Sequence, residues 1–376
     1  MLYPSSRRQE ALYPPERLAH ARKVTAAAGL DALLITPGSD LRYLTGYHAH
    51  ALERLTCLVL PAEGEATLIV PRLERPAAEA SPAPGTGVRI VDHEDGTDPY
   101  PLVKQALGGP ARAVGLADRM WATQVLALRE ALPEARQRLA SEVLAPLRMR
   151  KTPAEVAALR EAGAAIDAVH ARMGEWLRPG RTEAEVGADI GRAIREAGHE
   201  TVDFVIVAAG PNGASPHHAT SDRVIQPGDP VVVDIGGTMP SGYCSDSTRT
   251  YVVGAAPADF REYYAVLHAA QRAAVAAVRP GVPASFVDAA AREPIAAAGY
   301  GDAFVHRTGH GIGLDGHEEP YIVAGNALPL EPGMAFSVEP GIYLTGRHGA
   351  RIEDIVVCLP GGGERLNTLG TELVEL

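Results

Sequence analysis

Short apolar runs alternate with amphipathic segments over the first 146 residues. Apolar positions recur at helical spacing in 15–29, 101–107 and 121–131. Between these segments, runs rich in leucine and β-branched residues predict strands, and these runs are DALLIT, LTCLVLP, ATLIVP and VRIVD. Alternating strands and helices of this kind are typical of an α/β domain. The pattern therefore predicts a small N-terminal α/β domain.

A second unit begins in the segment LRMRKTPAEVAALREAG. Thr152 and Glu155 form a T-x-x-E capping box, which predicts a helix that runs to about Leu177. Thr182 and Glu185 repeat the box at the start of another helix.

Further along the chain, the apolar runs DFVIVAAG and VVVDIGG predict strands, and 259–278 and 285–298 predict helices before two late hairpins. We place the domain boundary so that the two domains are 1–146 and 147–376.

Charge and composition exclude several classes of function. Thirty-five Lys and Arg against 46 Asp and Glu give a net charge of −11, which disfavours binding to nucleic acid or to anionic membrane surfaces. No apolar run approaches the roughly 20 residues that span a bilayer, and the first residues lack the apolar core of a secretory signal. Three widely separated cysteines form no CxxC pair and indicate reduced thiols in a cytoplasmic protein.

Two pairs of acidic residues occur in apolar strands of the second half. Asp234 lies in VVVDIGG and Asp246 in GYCSDSTRTYVV, and a hairpin turn centred on Pro240 would place them opposite each other. Glu339 and Glu353 are equidistant from Gly346, which predicts a second opposed pair. Carboxylates this close repel one another unless a cation or a proton lies between them.

Three histidines lie between the two hairpins, in HRTGHGIGLDGHE. We expect this glycine-rich segment to be a loop that brings His306, His310 and His317 towards the acids. Four carboxylates with one histidine and no thiolate suit two divalent ions of the manganese type better than structural zinc, while cobalt and zinc remain alternatives.

The motifs as an ordered set resemble a known family. The words RMRKTPAEVAALREAG, PHHATSDR, VVVDIGG, GYCSDSTRTYVV, GHGIGLDGHEEP, FSVEPGIY and GARIEDIV are similar to those of the proline-specific pita-bread metallopeptidases. These are the Xaa-Pro dipeptidases (prolidases) and the Xaa-Pro aminopeptidases. The resemblance extends from about Leu147 to the C-terminus, and SDLRYLTGYH fits it in the first domain. It implies an α+β pita-bread catalytic domain with a curved antiparallel sheet.

The resemblance also implies a ligand set. Two divalent ions, most simply manganese, would be bridged by Asp246 and Glu353; Asp234 would complete one site, and His310 with Glu339 the other. The two aspartates are 12 positions apart, one more than the family pattern, and the hairpin turn would absorb the extra residue.

Roles for the remaining motif residues follow from the same resemblance. His217, His306 and His317 match active-site histidines, and Tyr243 and Arg351 match positions that support the ligands. A hydroxide held between the two ions would attack the carbonyl carbon of the residue before proline. Glu339 would shuttle the proton, His317 would stabilise the oxyanion, and His217, rather than its neighbour His218, would hold the substrate.

Rival functions are disfavoured by the residues present. A scaffold that has lost its metals, or a metal-free hydrolase of guanidino compounds, would show broken ligand positions, whereas all five ligands and all three supporting histidines are in place. A methionine aminopeptidase would lack the long N-terminal domain.

Between the two proline peptidases, the short chain favours a dipeptidase, with an aminopeptidase acting on longer Xaa-Pro peptides as the alternative. A dipeptidase must bind the free carboxylate of proline, for which Arg42 and Arg54 are the candidates. The partners expected are a small peptide with proline in second position and a second copy of the chain in a homodimer.

Overall fold

The computed structural model describes residues 12–376 of the chain. The chain folds into two units, Met1–Arg148 and Met149–Leu376. Among the described residues, no helix is both long and apolar enough to cross a membrane.

The first unit is built on one six-stranded mixed sheet. Its strands are β1 (Ala32–Ile35), β2 (Cys57–Pro61), β3 (Thr67–Pro71), β4 (Arg89–His93), β5 (Ala113–Leu116) and β6 (Arg136–Leu139). Its helices are α1 (Glu16–Ala27), α2 (Ser39–Thr45), α3 (Arg75–Ala80), α4 (Tyr100–Leu107), α5 (Ala122–Ala131) and α6 (Ser141–Met149). The strand order is β4-β3-β2-β1-β5-β6, with β1–β2 and β2–β3 antiparallel and the other pairs parallel. The α/β prediction is therefore confirmed. The two strands that the pattern missed, β5 and β6, have only four residues each, and β6 reads RQRL, which carries no apolar alternation.

The second unit combines antiparallel sheets with long helices. Its helices are α7 (Pro153–His170), α8 (Met173–Trp176), α9 (Glu183–Glu196), α10 (Ala258–Ala277) and α11 (Ala284–Ala297). Its strands are β7 (Thr201–Ala209), β8 (Pro230–Thr238), β9 (Cys244–Val252), β10 (Gly309–Gly311), β11 (Glu318–Ile322), β12 (Ala335–Val338), β13 (Gly341–Leu344), β14 (His348–Arg351), β15 (Asp354–Leu359), β16 (Gly362–Arg365) and β17 (Val374–Glu375). They form sheets in the orders β17-β9-β8-β7, β11-β10-β12-β15-β16 and β13-β14. All pairs except β17–β9 are antiparallel.

The helix starts of the second unit are as predicted. Thr152 with Glu155, and Thr182 with Glu185, both form complete capping boxes, which satisfy backbone groups at the start of α7 and α9. The predicted end of the first helix at Leu177 is wrong, because α7 ends at His170. Both ring nitrogens of His170 are engaged there, with the Tyr251 hydroxyl (3.0 Å) and the carbonyl oxygen of Ser247 (3.1 Å).

The first acid-bearing hairpin has a different register from the one predicted. Asp234 lies opposite Thr248, and Asp246 lies opposite Gly236. The turn is closed by the hydrogen bond from Met239 N to Tyr243 O (3.0 Å), so the ladder is displaced by two residues. Because side chains alternate with period two, a shift of two keeps both aspartates on the same face of the sheet. They are therefore diagonal rather than direct neighbours.

The second acid-bearing hairpin keeps its predicted register but is interrupted at the acids. The pairs Val338↔Asp354 and Gly341↔Arg351 belong to one continuous register that would set Glu339 opposite Glu353. Both glutamates lie outside the ladders, in the gap between β12–β15 and β13–β14. The Glu353 amide donates to Thr248 O (3.0 Å) and the Glu339 amide to Thr308 O (2.8 Å). In this gap the hairpin is therefore hydrogen-bonded to Thr248 and Thr308, at the positions of the two acids.

Candidate metal centre and active site

Five side chains, each from a different strand or strand end, converge at one place in the second unit. Three groups each offer ligand atoms that lie within 4.8 Å of one another: Asp234, Asp246 and Glu353; His310, Glu339 and Glu353; and Asp246, His310 and His317. Glu353 belongs to the first two groups and Asp246 to the first and third. The five residues expected to bind metal therefore lie together, and His317 joins them.

Arg351 fixes the orientation of Asp234. Its Nη2 donates to Asp234 Oδ2 at 2.6 Å, and both side chains are nearly inaccessible to solvent. The other carboxylate oxygen, Oδ1, is buried and has no hydrogen-bond partner. A buried acceptor without a partner is costly. Oδ1 therefore faces the group of acids with a free lone pair, as a metal ligand would.

Hydrogen bonds also orient the two glutamates. Thr248 donates from Oγ1 to Glu353 Oε2 (2.7 Å), and Ser337 donates from its hydroxyl to Glu339 Oε1 (3.0 Å). Thr248 is the residue opposite Asp234 in the observed register. In the observed register, Thr248 therefore lies opposite Asp234 and can donate to Glu353; in the predicted register, Asp246 would have occupied that position.

His310 lies on the strand β10 and not on a loop, which corrects the expectation from the glycine-rich sequence. A Cβ on Gly309 would collide with the carbonyl oxygen of Ser337, and one on Gly311 with that of Glu319. The glycines are thus needed for the close approach of strands rather than for a flexible loop. His310 donates from Nδ1 to Gly311 O (3.1 Å), so Nε2 keeps a lone pair that points at Glu339 Oε1, 3.3 Å away.

Burial and mutual repulsion disfavour charge in this group of residues. Burial, reinforced by the neighbouring acids, raises the pKa values of Asp246 and Glu353 well above their ordinary range. Burial also raises the pKa of Glu339 from 4.5 to about 7, although Arg351 opposes the shift. Desolvation lowers the pKa of His310 to about 3. A neutral imidazole and several carboxylates that repel one another are stabilised together by bound cations.

The donor chemistry fits divalent metal ions. The ligand atoms are carboxylate oxygens and an imidazole nitrogen, without thiolate, and one of the oxygens is a buried acceptor with no protein partner. Asp234, Asp246, His310, Glu339 and Glu353 are therefore the residues that would hold the metal.

We expect the metal-free protein to be stabilised when Glu339 is neutralised. A folded-state pKa of about 7 against an ordinary 4.5 means that the native state retains a proton which the unfolded state releases as the pH rises through this interval. The Glu339→Gln variant should match wild type in urea unfolding near pH 4 and exceed it near pH 7.5 by up to about 3 kcal/mol. Saturating manganese should remove this advantage. A variant less stable than wild type at pH 7.5 in chelator would contradict the expectation.

His306 ends a relay of hydrogen bonds that starts at Arg351. Arg351 donates from Nη1 to the Tyr343 hydroxyl (2.7 Å), which lies 2.8 Å from His306 Nε2. His306 Nδ1 lies 2.6 Å from the carbonyl oxygen of Arg307 and must donate to it. Because burial lowers the pKa of His306 to about 4, the ring is neutral, and its Nε2 accepts from Tyr343. His306 is thus held by hydrogen bonds at both nitrogens.

The neighbouring histidines His217 and His218 occupy different environments. His217 is exposed and lines the cavity above the acids. His218 places Nε2 2.9 Å from Oε2 of Glu183, a fully buried carboxylate that also accepts from Ser221. His218 therefore stabilises a loop, and only His217 faces the cavity.

Single substitutions should separate the two histidines. We expect His217→Ala to lower kcat/KM for the substrate by about 10²-fold, the usual order for a positioned polar or acid–base group. His218→Ala should leave kcat/KM within a few-fold of wild type and lower the melting temperature, because Glu183 loses a partner. A larger loss of turnover in the His218 variant would reverse this assignment.

A cavity of about 680 Å³ opens over the acids, within the second unit. Besides the acids and histidines, its wall includes three residues that the sequence analysis missed: Phe204, Ile206 and Arg307. Phe204 and Ile206 alternate along β7, so they share a face that the sequence pattern alone could have indicated. The cavity therefore combines the acidic cluster with an apolar wall and a cation.

Of the three further residues expected near the substrate, Tyr243 is directed elsewhere within the second unit. The Tyr243 hydroxyl donates to Glu155 Oε1 (2.7 Å), so this side chain supports the capping box of α7 and does not line the cavity. Arg42 lies in α2 and Arg54 in the segment before β2, both in the first unit. Arg54 Nη1 is 3.1 Å from Glu53 Oε1. A role for these arginines in substrate binding stays a prediction.

Comparisons with known families agree with the two-unit architecture. The sequence model of metallopeptidase family M24 matches residues 157–360, and that of the creatinase/prolidase N-terminal domain matches residues 17–150.

Similar proteins match along nearly the whole chain. A Mycobacterium bovis protein named "Probable dipeptidase PepE" is 56% identical over 369 residues, which is 98% of each chain. An Xaa-Pro dipeptidase of Lactobacillus delbrueckii subsp. lactis is 36% identical over 93% of this chain and 95% of its own length. The crystal structure of dipeptidase PepE from Mycobacterium ulcerans superposes with a TM-score of 0.92 at 58% identity, covering 97% of this chain and 98% of the other.

Proposed function

The chain belongs to metallopeptidase family M24, and we propose on this basis that it is an Xaa-Pro dipeptidase, which hydrolyses the bond before proline in Xaa-Pro dipeptides. The observation that carries the proposal is the group formed by three buried carboxylates, the partly buried Glu339 and His310 on the floor of a peptide-sized cavity. A relative at 36% identity that is named Xaa-Pro dipeptidase supports the choice of substrate.

Metal ions in this site would supply Lewis acidity towards the substrate carbonyl and towards water. Asp234, Asp246, His310, Glu339 and Glu353 would hold them. Asp234 is already oriented by Arg351, and Glu353 by Thr248, so the chain needs little reorganisation to bind the ions.

Glu339 is the residue suited to proton transfer. Glu339 Oε1 lies 3.0 Å from the Ser337 hydroxyl oxygen and 3.3 Å from His310 Nε2. The other carboxylate oxygen, Oε2, is therefore the one that can carry a proton. A carboxylate that lines the cavity can take a proton from the attacking water and deliver it to the proline nitrogen as the bond breaks.

His317 and His217, which both line the cavity, would position the substrate and its transition state. The His317 ring lies 3.8 Å from that of His310, centroid to centroid, and burial together with Arg307 lowers its pKa, so the ring is neutral. A neutral imidazole retains one N–H donor, which suits stabilisation of the developing oxyanion. His217, which lines the same cavity as the apolar side chains of Phe204 and Ile206, would hold the peptide.

Peptide length is the test of this function. With manganese present and concentrations equal, we expect Ala-Pro to be cleaved with a kcat/KM at least about tenfold above that of Ala-Pro-Ala. A site that pairs with a terminal carboxylate rejects a ligand in which that charge is missing. Comparable or faster release of alanine from the tripeptide would identify the chain as an Xaa-Pro aminopeptidase instead. Ala-Ala serves as the control for the requirement for proline.

We also propose manganese as the metal, a homodimer as the assembly and the cytoplasm as the location. The oxygen-rich ligand set supports manganese, with cobalt and zinc as competitors. The described cysteines, Cys57, Cys244 and Cys358, are free and buried, as in proteins of reducing compartments. The homodimer rests on the resemblance to the family.

A further inference from the structure

Glu183, in the first turn of α9, is a carboxylate that the fold removes completely from solvent. Every hydrogen bond recorded to its side chain comes from the segment that joins β7 to β8. Oε1 accepts from the Ala209 amide (2.7 Å) and from Asn212 Nδ2 (3.0 Å). Oε2 accepts from the Ser221 amide (3.1 Å), the Ser221 hydroxyl (2.6 Å) and His218 Nε2 (2.9 Å). These donors replace the water that a buried carboxylate loses.

The hydrogen bonds keep Glu183 ionised inside the fold. Burial raises the pKa of this carboxyl group, but the hydrogen bonds that it accepts, first among them that from Ala209, lower the pKa below its ordinary value. Hydrogen bonds to an ionised acceptor are roughly twice as strong as those between neutral groups. Residues 209–221, here called the His217 segment, are therefore tied firmly to the start of α9.

His217 is anchored through the residues next to it in the chain. Immediately before it, the Pro216 carbonyl oxygen accepts from Arg351 Nη1 (3.3 Å). Immediately after it, His218 is bound to Glu183. The His217 ring is exposed and lines the cavity, so the backbone on its two sides determines where the ring lies.

We propose that Glu183 is a positioning residue for His217, which it keeps at the cavity wall by fixing the His217 segment; this inference rests on the proposed dipeptidase function. A displacement of about 1 Å in a group that contacts the substrate can lower the rate about 10²-fold. The carboxylate therefore contributes to turnover without touching the peptide. The small effect expected for His218→Ala agrees with this role, because Glu183 keeps its other donors in that variant.

Removing the carboxylate should reproduce much of the loss caused by removing His217. For Glu183→Ala, we expect kcat/KM for Ala-Pro to fall about 10–100-fold, the range for a displaced substrate-binding group. Metal content should be unchanged, because no proposed metal ligand lies in the His217 segment. In Glu183→Gln the amide keeps one acceptor oxygen, so the loss should be at most about tenfold, as for one or two weakened hydrogen bonds.

A double-mutant cycle separates positioning from a general loss of stability. In the His217→Ala background, Glu183→Ala should lower kcat/KM further by less than about threefold, because the ring that it positions is already absent. Glu185→Ala is the matched control, since Glu185 lies in the same turn of α9 and accepts from the Thr182 amide (2.9 Å) in the capping box. This control should lower the melting temperature and leave kcat/KM unchanged.

The position of the ring can also be measured without turnover. In metal-free protein labelled with ¹³C in the histidine rings, the NMR signal of His217 is assigned by its absence from His217→Ala. We expect this signal to shift in Glu183→Ala, because the ring moves relative to the cavity wall. It should stay in place in Glu185→Ala, whose helix is destabilised while the His217 segment keeps its anchor.

Either of two results would overturn the inference. An equal fold-loss with and without the His217 ring would show that Glu183 affects the active site independently of this histidine. An unchanged His217 signal in Glu183→Ala, or in Glu183→Gln if the alanine variant does not fold, would show that the carboxylate does not set the position of the ring.

Failure of the proposed function gives a different signal. It is read from the wild-type enzyme alone, as absent cleavage of Ala-Pro or as preference for the tripeptide. The NMR comparison needs no substrate, so it tests the role of Glu183 in either case.

Discussion

Replacing Glu353 by alanine is expected to abolish metal binding and peptide hydrolysis together. Glu353 is one of two carboxylates that each belong to two of the ligand groups, and it is 2% exposed, so water cannot substitute freely for it. Metal ions contribute several kcal/mol to transition-state stabilisation, so turnover should fall by about 10³-fold or more. The measurements are metal content of the purified variant by mass spectrometry and the initial rate on Ala-Pro.

The control for this variant is Glu364→Gln. Glu364 lies on β16 next to the same hairpin, is half-exposed and pairs with Arg160 at the surface, so both metal content and rate should match wild type. The same loss is expected for Asp246→Ala. Retained turnover with two ions still bound to either variant would refute the ligand assignment.

Replacing Arg351 by methionine is expected to destabilise the metal-free protein strongly. Arg351 is 2% exposed and donates to Asp234, Tyr343 and Thr248 at 2.6, 2.7 and 3.1 Å. Removing one partner of a buried ion pair leaves an uncompensated charge, which costs about 3–5 kcal/mol. Asp234 also loses the bond that turns Oδ1 towards the ligand group, so metal affinity should fall about 10–100-fold. Urea unfolding in chelator and manganese titration measure the two effects.

An excess of metal distinguishes the Arg351→Met variant from a variant that lacks a metal ligand. High manganese should restore part of the turnover of Arg351→Met, because all the proposed ligands are still present, whereas Glu353→Ala should not recover. Arg160→Met, which removes a surface ion pair, should change the unfolding free energy by less than about 1 kcal/mol. An Arg351 variant with the stability and metal affinity of wild type would show that Asp234 needs no orienting partner.

The elements that local pattern alone predicted are those with strong local signals. Helices α7 and α9 begin where the two capping boxes predict, because the stabilising hydrogen bonds join residues three positions apart. The buried strands β1 to β3 are continuous apolar runs bounded by polar residues, and they were also predicted correctly. Strand β6 was missed since its sequence, RQRL, carries no apolar periodicity and its pairing partner is more than 20 residues away.

The candidate site also divides into features that the sequence predicted and features that only the structure shows. The acids, the histidines and their order along the chain were visible in the sequence and carried the resemblance to proline peptidases. The sequence could not fix the register of the first hairpin, because a shift of two residues keeps every side chain on its face. It also could not distinguish the partners of neighbouring residues: His218 binds Glu183, 35 residues away, while His217 faces the cavity.

The sequence by itself determined the family of this chain and indicated the proposed metal ligands, since both follow from residue types in an ordered set of motifs. The tertiary structure decided which side chains line the cavity. It turns Tyr243 away to Glu155, brings Arg351 to Asp234 across 117 residues, and stacks Arg307 on Tyr321 beside the acids. These contacts join residues far apart in sequence, and their energies depend on burial and on charges from other elements. No local pattern along the chain contains that information.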